Sequence, residues 1–391
     1  MKLGESYGAP AIADGKLYQF DRYGDTERLS CYDANTTQHL WQYEYAARYR
    51  DSYGYNNGPR ASPLIDGHRV YLFGVTGILT CVDTTTHQKI WQIDTSKEYG
   101  VVGNFFGVAA NPLVYEDKLL VMVGGSPEES QQYSGSLLDR VKPNGTAVVA
   151  FDKLSGKELY RVGDQLASYS SICVHRIAGR DLGLAFARGG LLAWDARSGE
   201  QAFHFPWRAD MLESVNAAMP VVDSDRVLVS EAYEIGSVLL DCSAAEPTVV
   251  WKDQKPRRSD NSFRAHWSTP VLVDGYLYGG NGRNQPDCDF RCVNFSTGEV
   301  MWKGWRHERA SVLLIDGYLI ALGELGTLKL LKPTPEKMEE LRTVNLQDFA
   351  AEDNKPLVRS PCWAAPVVAG GKLYIRGREH LLCMQLTSAQ K

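Results

Sequence analysis

The chain has 391 residues, 42 basic against 47 acidic and a net charge of −5, without the basic excess or cationic tract that nucleic acid binding requires. No apolar run approaches the roughly 18 residues of a membrane-spanning helix, and the first residues lack the charged and apolar regions of a signal peptide. The eight cysteines do not settle the redox compartment. Cys31, Cys81, Cys292 and Cys383 share a repeat position that Ala150 and Ala193 fill elsewhere, so the position asks for a small buried side chain.

The unit behind the chain is residues 62–92, SPLIDGHRVYLFGVTGILTCVDTTTHQKIWQ. A proline opens an apolar run and Asp66-Gly67 breaks it. A strand rich in β-branched and aromatic residues follows over 69–73, an alternating strand over 78–83, and a fourth carrying Trp91. Four short antiparallel strands make one blade.

Two rulers count the copies. Pro10, Pro63, Pro112, Pro220, Pro270 and Pro366 are followed eight positions later by Tyr18, Tyr71, Leu120, Leu228, Tyr278 and Tyr374. The Asp or Asn ending the third strand precedes an aromatic by eight in Asp33/Trp41, Asp83/Trp91, Asp152/Tyr160, Asp195/Phe203 and Asn294/Trp302. With degenerate copies near Ser170 and Ser311, the count is eight at a period of about 50 residues, the signature of a propeller. The expected fold is therefore all-β, an eight-bladed β-propeller of four-stranded antiparallel blades, forming a single domain over 1–391.

In chain order, residues 1–5 have no blade of their own and the last repeat, 362–386, has no fourth strand. The two deficits match, so the N-terminal residues are expected to close the ring as the outer strand of the last blade. Blade one (6–45) leads into the tyrosine-rich connection 46–57, read either as a locally packed loop or as a ligand-facing rim. Blade three (106–162) is interrupted by the insertion 126–145. Blade four (168–205) lacks the proline, and blades five and six follow over 216–252 and 266–302. In blade seven (308–346) the segment 335–342, PEKMEELR, is expected to form a helical turn.

Aligning the repeats also isolates a candidate site. Two residues before each proline stand small side chains: Gly8, Ala61, Ala110, Ala218, Ser268 and Ala364. One residue further upstream come Tyr7, Arg60, Ala109, Ala217, Trp267 and Trp363, with Tyr169 and Arg309 in the degenerate copies. Tyr7, Arg60, Tyr169, Trp267, Arg309 and Trp363, with His266 beside them, are expected to line one channel mouth and bind an anionic or aromatic ligand or peptide. The competing reading packs part of this ring between blades, because strand side chains alternate faces. No nucleophile triad, phosphate-cradling loop or metal-ligand cluster is legible, and His175, His266 and His307 read as hydrogen-bonded strand or loop residues.

The segments PAIADGKLY (10–18), AFDKLSGKELY (150–160) and VNFSTGEVMW (293–302) resemble the PQQ-like β-propeller repeat, a class that includes quinoprotein alcohol dehydrogenases and the BamB-type scaffold of outer-membrane assembly. Longer stretches, NFFGVAANPLVYEDKLLVMVGGSP from Asn104, HFPWRADMLESVNA from His204 and SPCWAAP from Ser360, look like uncharacterised exported propellers of planctomycete-type bacteria. The resemblance implies that Trp41, Trp91, Trp251 and Trp302, with Tyr160 and Phe203 in their place elsewhere, dock neighbouring blades. It also implies a periplasmic or otherwise exported protein.

For function, the expectation is a noncatalytic binding or scaffold propeller of the cell envelope, a monomer without cofactor whose partner is a protein, peptide or envelope polymer. The alternative is a PQQ-dependent dehydrogenase or another redox or hydrolytic enzyme using the channel. It requires PQQ with Ca²⁺ and a carboxylate base, for which Glu213 and Glu308 are the nearest candidates.

Overall fold

The structure, a computed structural model, describes residues 1–350 and 356–386. Their strands form eight antiparallel sheets, seven of four strands and one of three, each consecutive in the chain. They are the blades of an all-β propeller. Blade two comprises Leu64–Asp66, Arg69–Phe73, Ile78–Asp83 and Lys89–Asp94, and the innermost strand in six blades is only three residues long.

The sequence rulers have one structural cause. Tyr71, Cys81 and Trp91 lie in a single row across blade two, as do Tyr18, Cys31 and Trp41 in blade one and Tyr278, Cys292 and Trp302 in blade six. A small residue in the middle of the row leaves room for the two rings, which sit 6.0 Å apart in all three blades. The pairing of third and fourth strands slips by one residue just after the row, a bulge that aims the outer aromatic toward the next blade.

The Asp or Asn of the second ruler shapes the turn between those strands. Asp83 Oδ1 accepts from the amides of Thr85 and Thr86 at 2.7 and 2.8 Å, and Asn294 repeats the pattern with Ser296 and Thr297. Four residues on, the chain enters the left-handed region at Gly156 (φ 74°) and Gly298 (φ 73°). There the previous blade's aromatic docks: a Cβ on Gly156 would lie 2.7 Å from Trp91, and one on Gly298 2.8 Å from Trp251. The indole N–H groups donate across the same interface, Trp91 to Lys153 O at 3.3 Å, Trp251 to Phe295 O and Trp302 to Thr334 O, both at 2.8 Å.

The helical turn expected over 335–342 does not form. Residues Glu339–Asn345 are the outer strand of blade seven, paired with Thr327–Lys332. The helix-favouring Glu, Lys and Met content gives way to the strand pairing that covers the edge of Thr327–Lys332.

Ring closure uses less of the N-terminus than a full strand. Lys2 bridges His380, Leu3 N donates to Glu379 O at 2.7 Å and Leu381 N to Met1 O at 2.8 Å, while Glu5 already pairs with Arg22 of blade one. Leu3 is buried with Leu17, Tyr374 and Leu381 between the last and first blades. Below them the buried Arg376 guanidinium donates to the carbonyls of Ser6 and Gly4. Deleting residues 1–5 removes this clasp, so the truncated protein is expected to melt at lower temperature and to aggregate. Unchanged melting and solubility by scanning calorimetry and light scattering would show that these contacts carry no closure.

Candidate functional site: an aromatic channel mouth

The two faces of the ring differ. On one, consecutive strands are joined by the tight Asp-initiated turns. The other carries the connections that precede each innermost strand together with the second-to-third strand loops, including 46–57 and the insertion 126–145. In that insertion Leu138 is buried and Asp139 pairs with Arg188 and Arg208, both at 2.9 Å. All seven candidate residues lie on this second face.

The seven approach one another as parts of one circuit. Tyr7 of blade one packs on Trp363 of blade eight with ring centroids 5.1 Å apart, and Trp363 lies 5.7 Å from Trp267 of blade six. Arg309 of blade seven sits between the two indoles, its guanidinium carbon 4.6 Å from the Trp267 ring and 5.4 Å from that of Trp363. Arg60 lies 5.8 Å from the Tyr7 ring and 5.6 Å from Tyr49. His266 contacts Trp267 on one side and Tyr233 on the other, and Tyr233 packs in a cluster with Phe105 and Tyr169.

Blades three and five, which carry Ala109 and Ala217 at the aligned position, contribute Phe106 and Tyr233 instead. Tyr169 of blade four packs with Tyr233 of blade five and against Phe106 ahead of blade three. Its hydroxyl accepts the Phe106 amide at 2.8 Å, and the two rings are 5.6 Å apart. From Phe106 a line of rings runs through Tyr55 at 6.1 Å to Trp363 at 5.6 Å. It links blade four to blade eight, opposite positions in an eight-membered ring. Tyr53 and Tyr55 are 50% and 48% exposed, so the top of this line faces solvent.

The small residues next in the chain do another job. Ala61, Ala110, Ala218 and Ser170 are buried, and a Cβ on Gly8 would meet the Ala61 carbonyl oxygen of the next blade at 2.5 Å. They let adjacent innermost strands approach.

The arginines expected to offer forked donors to a ligand are committed internally. Arg309 Nε donates to Glu324 Oε1 at 2.9 Å, its second nitrogen to Oε2, and its third to Arg283 O at 2.9 Å. Arg60 donates to the carbonyls of Gly58 and Asn56 and to Asp51, pinning the tyrosine loop. Glu324, 3% exposed, also accepts Trp363 Nε1 at 3.0 Å. Burial pushes its carboxyl up, but the hydrogen bonds from Arg309 and Trp363 and the Arg309 charge outweigh that and hold it below the usual range. For His266, burial first and then the Arg309 and Arg283 charges depress the imidazole to about 3, so it is neutral at physiological pH.

Glu324, Phe106, Tyr233, Tyr49 and Arg283 were not marked by the repeat alignment, because they stand in connections and loops outside its register. The Phe105-Phe106 pair in a non-strand segment was the available signal. Among the carboxylates considered for catalysis, Glu213 is exposed, and Glu308 accepts from Trp305 Nε1 at 3.2 Å and Leu325 N at 2.8 Å. Among the described residues, no group of three or more His, Cys, Asp or Glu is placed to hold a metal ion.

Comparison with known proteins agrees with this architecture. A search of curated proteins finds no match. Among solved structures, BamB from Moraxella catarrhalis superposes with a TM-score of 0.64 at 13% identity, covering 100% of this chain and 98% of its own. The computationally designed protein Ika8 gives a TM-score of 0.59 at 10% identity, covering 98% and 97%. These likenesses establish the fold. Residues 1–159 and 143–304 match the profile of the family described as outer membrane protein assembly factor BamB. The chain, a PQQ-like propeller whose strand rows and docked aromatics repeat through both matched spans, belongs to that family.

Proposed function

We propose that this propeller is a noncatalytic binding scaffold of the bacterial cell envelope, exported to the periplasm, which presents its aromatic mouth to a peptide segment of a protein partner. The observation that carries the reading is the solvent-facing line of rings across the mouth, Tyr53 and Tyr55 above Phe106 and Trp363, held on a rigid ring. Trp267, Trp363 and Tyr7 supply contact faces. Arg60 and Arg309 hold those rings in place, Tyr169 pins Phe106, and His266 backs Trp267 as a neutral ring. The family's outer-membrane assembly description supports the envelope location.

The residues do not fit the redox alternative. A quinone with Ca²⁺ needs a cage of free oxygens and an available carboxylate base. Glu308 and Glu324 have oxygens occupied by indole, amide and guanidinium donors, Glu213 is exposed, and among the described residues no group of three His, Cys, Asp or Glu stands together to build the cage.

The test is to pan a random dodecapeptide phage library on the wild-type protein and on a Tyr55→Ala, Trp363→Ala variant checked for folding by circular dichroism. Peptide families that bind the wild type at least about tenfold tighter than the variant are expected, with no saturable heat on titration with PQQ and Ca²⁺. Equal binding to both proteins would overturn the mouth as the site, and saturable PQQ binding would restore the enzyme reading.

A further inference from the structure

Resting on the reading of the mouth as a peptide site, we propose that its ligand is a proline-rich segment in the polyproline II conformation, with an acidic group directed at Arg283. The first argument is the balance of donors and acceptors. Trp267 Nε1 is buried without a partner. Among the described residues the hydroxyls of Tyr7, Tyr53, Tyr55 and Tyr233 make no hydrogen bond, and burial pushes those of Tyr7 and Tyr233 up to about 12, so they remain protonated.

The buried acceptors are occupied by contrast, and the exposed Glu213 near Tyr233 is the open carboxylate. Glu324 receives Arg309 and Trp363, while Asp51 receives the amides of Tyr53, Tyr55 and Asn56 and the Arg60 guanidinium. A ligand that pairs these donors is rich in acceptors and apolar enough to lie on rings. Prolyl residues lack the N–H, and a polyproline II chain leaves its carbonyls free because it makes no internal hydrogen bonds. A helical ligand spends its carbonyls internally. A glycan would use the tyrosine hydroxyls as acceptors as well as donors, so it is the competing ligand that the experiment must exclude.

Spacing and charge point the same way. One polyproline II turn advances about 9 Å, a length of the same order as the two successive steps of 5.6 and 5.7 Å from Tyr55 through Trp363 to Trp267. A preformed extended chain also loses little entropy on docking. Arg283 lies 4.2 Å over the Tyr233 ring at the end of the circuit, and its guanidinium has no hydrogen-bond or ion-pair partner among the described residues. Together with the exposed Arg378 near Tyr7, it is a cation open to a carboxylate.

The experiment uses the full chain and fluorescence anisotropy with three labelled probes: a nine-proline peptide ending Asp-Asp, a Gly-Ser peptide of equal length and charge, and cellohexaose. The proline probe is expected to bind at least about tenfold tighter than the Gly-Ser probe. Tyr55→Ala should weaken it about fivefold or more, Tyr55→Phe about two- to threefold through loss of one donor, and Arg283→Gln about threefold with a flatter salt dependence. Equal binding of proline and Gly-Ser probes, indifference to Tyr55→Ala, or displacement by cellohexaose would overturn the proposal. If panning yields mouth-dependent peptides without proline, this ligand assignment falls while the peptide site stands; if no mouth-dependent peptide is found, both fall.

Discussion

Trp91→Ala is expected to cost about 3–5 kcal/mol, the range for removing a large buried aromatic, and to lower the melting temperature by several degrees. The indole is 9% exposed, clusters with Tyr71, Leu119 and Phe151 across two blades, and rests on the Gly156 turn of the next blade. Alanine would leave a void there and remove one of the two donors to the Lys153 carbonyl, which also accepts the Tyr71 hydroxyl at 2.9 Å. The opposite side of the contact offers an independent check. Gly156→Ala should also destabilise, because φ is 74° and the new Cβ would sit 2.7 Å from the indole. Denaturant titration of both variants measures the effect, and a loss below about 1 kcal/mol for Trp91→Ala would place the ring outside the blade interface.

Glu324→Ala is expected to be comparably severe, about 3–5 kcal/mol, since removing one member of a buried pair strands the other's charge. Arg309 would remain between Trp267 and Trp363 without its carboxylate, and Trp363 would lose its indole acceptor. The same variant should lose affinity for peptides selected by the wild-type mouth. Acid weakens the same pair. The folded carboxyl lies below the ordinary value of 4.5, so its stabilisation is fully present above about that pH and is lost as the pH falls through the lower folded value. Wild type minus variant stability should therefore shrink on acidification below about pH 4.5, and a difference independent of pH would contradict the pair.

The repeat was legible in the sequence because each ruler residue answers a local demand that recurs in blade after blade. Asp83 and Asn294 must cap a turn, Gly156 and Gly298 must adopt a left-handed conformation under an indole, and Cys81 must be small between Tyr71 and Trp91. Where the demand was not local, reading failed. The 335–342 segment carries helix-favouring side chains but is recruited as an edge-covering strand. The clasp of residues 1–5 splits between two blades, with Lys2 on His380 and Glu5 on Arg22.

The mouth was legible only where it follows the repeat. Tyr7, Trp267 and Trp363 share one register, and their mutual approach follows from the closure of the ring. Phe106, Tyr233 and Glu324 come from loops whose course depends on the whole assembly. The forked donors of Arg60 and Arg309 turn inward for the same reason: the acceptors Gly58 O, Asn56 O and Glu324 are set by neighbouring loops.

The line of rings from Tyr169 through Phe106 and Tyr55 to Trp363 also bears on mechanics. A wheel held only along its rim can flatten into an oval, each hub-to-rim segment tilting slightly against the next. Tyr169 and Trp363 belong to diametrically placed blades, and the tilted and edge-on rings between them act as a brace across the hub. Anything that wedges between Tyr55 and Trp363 would loosen that brace. A guest lying on top of it would stiffen it, so the shape of the whole wheel would report, at its far edge, whether the hub is occupied.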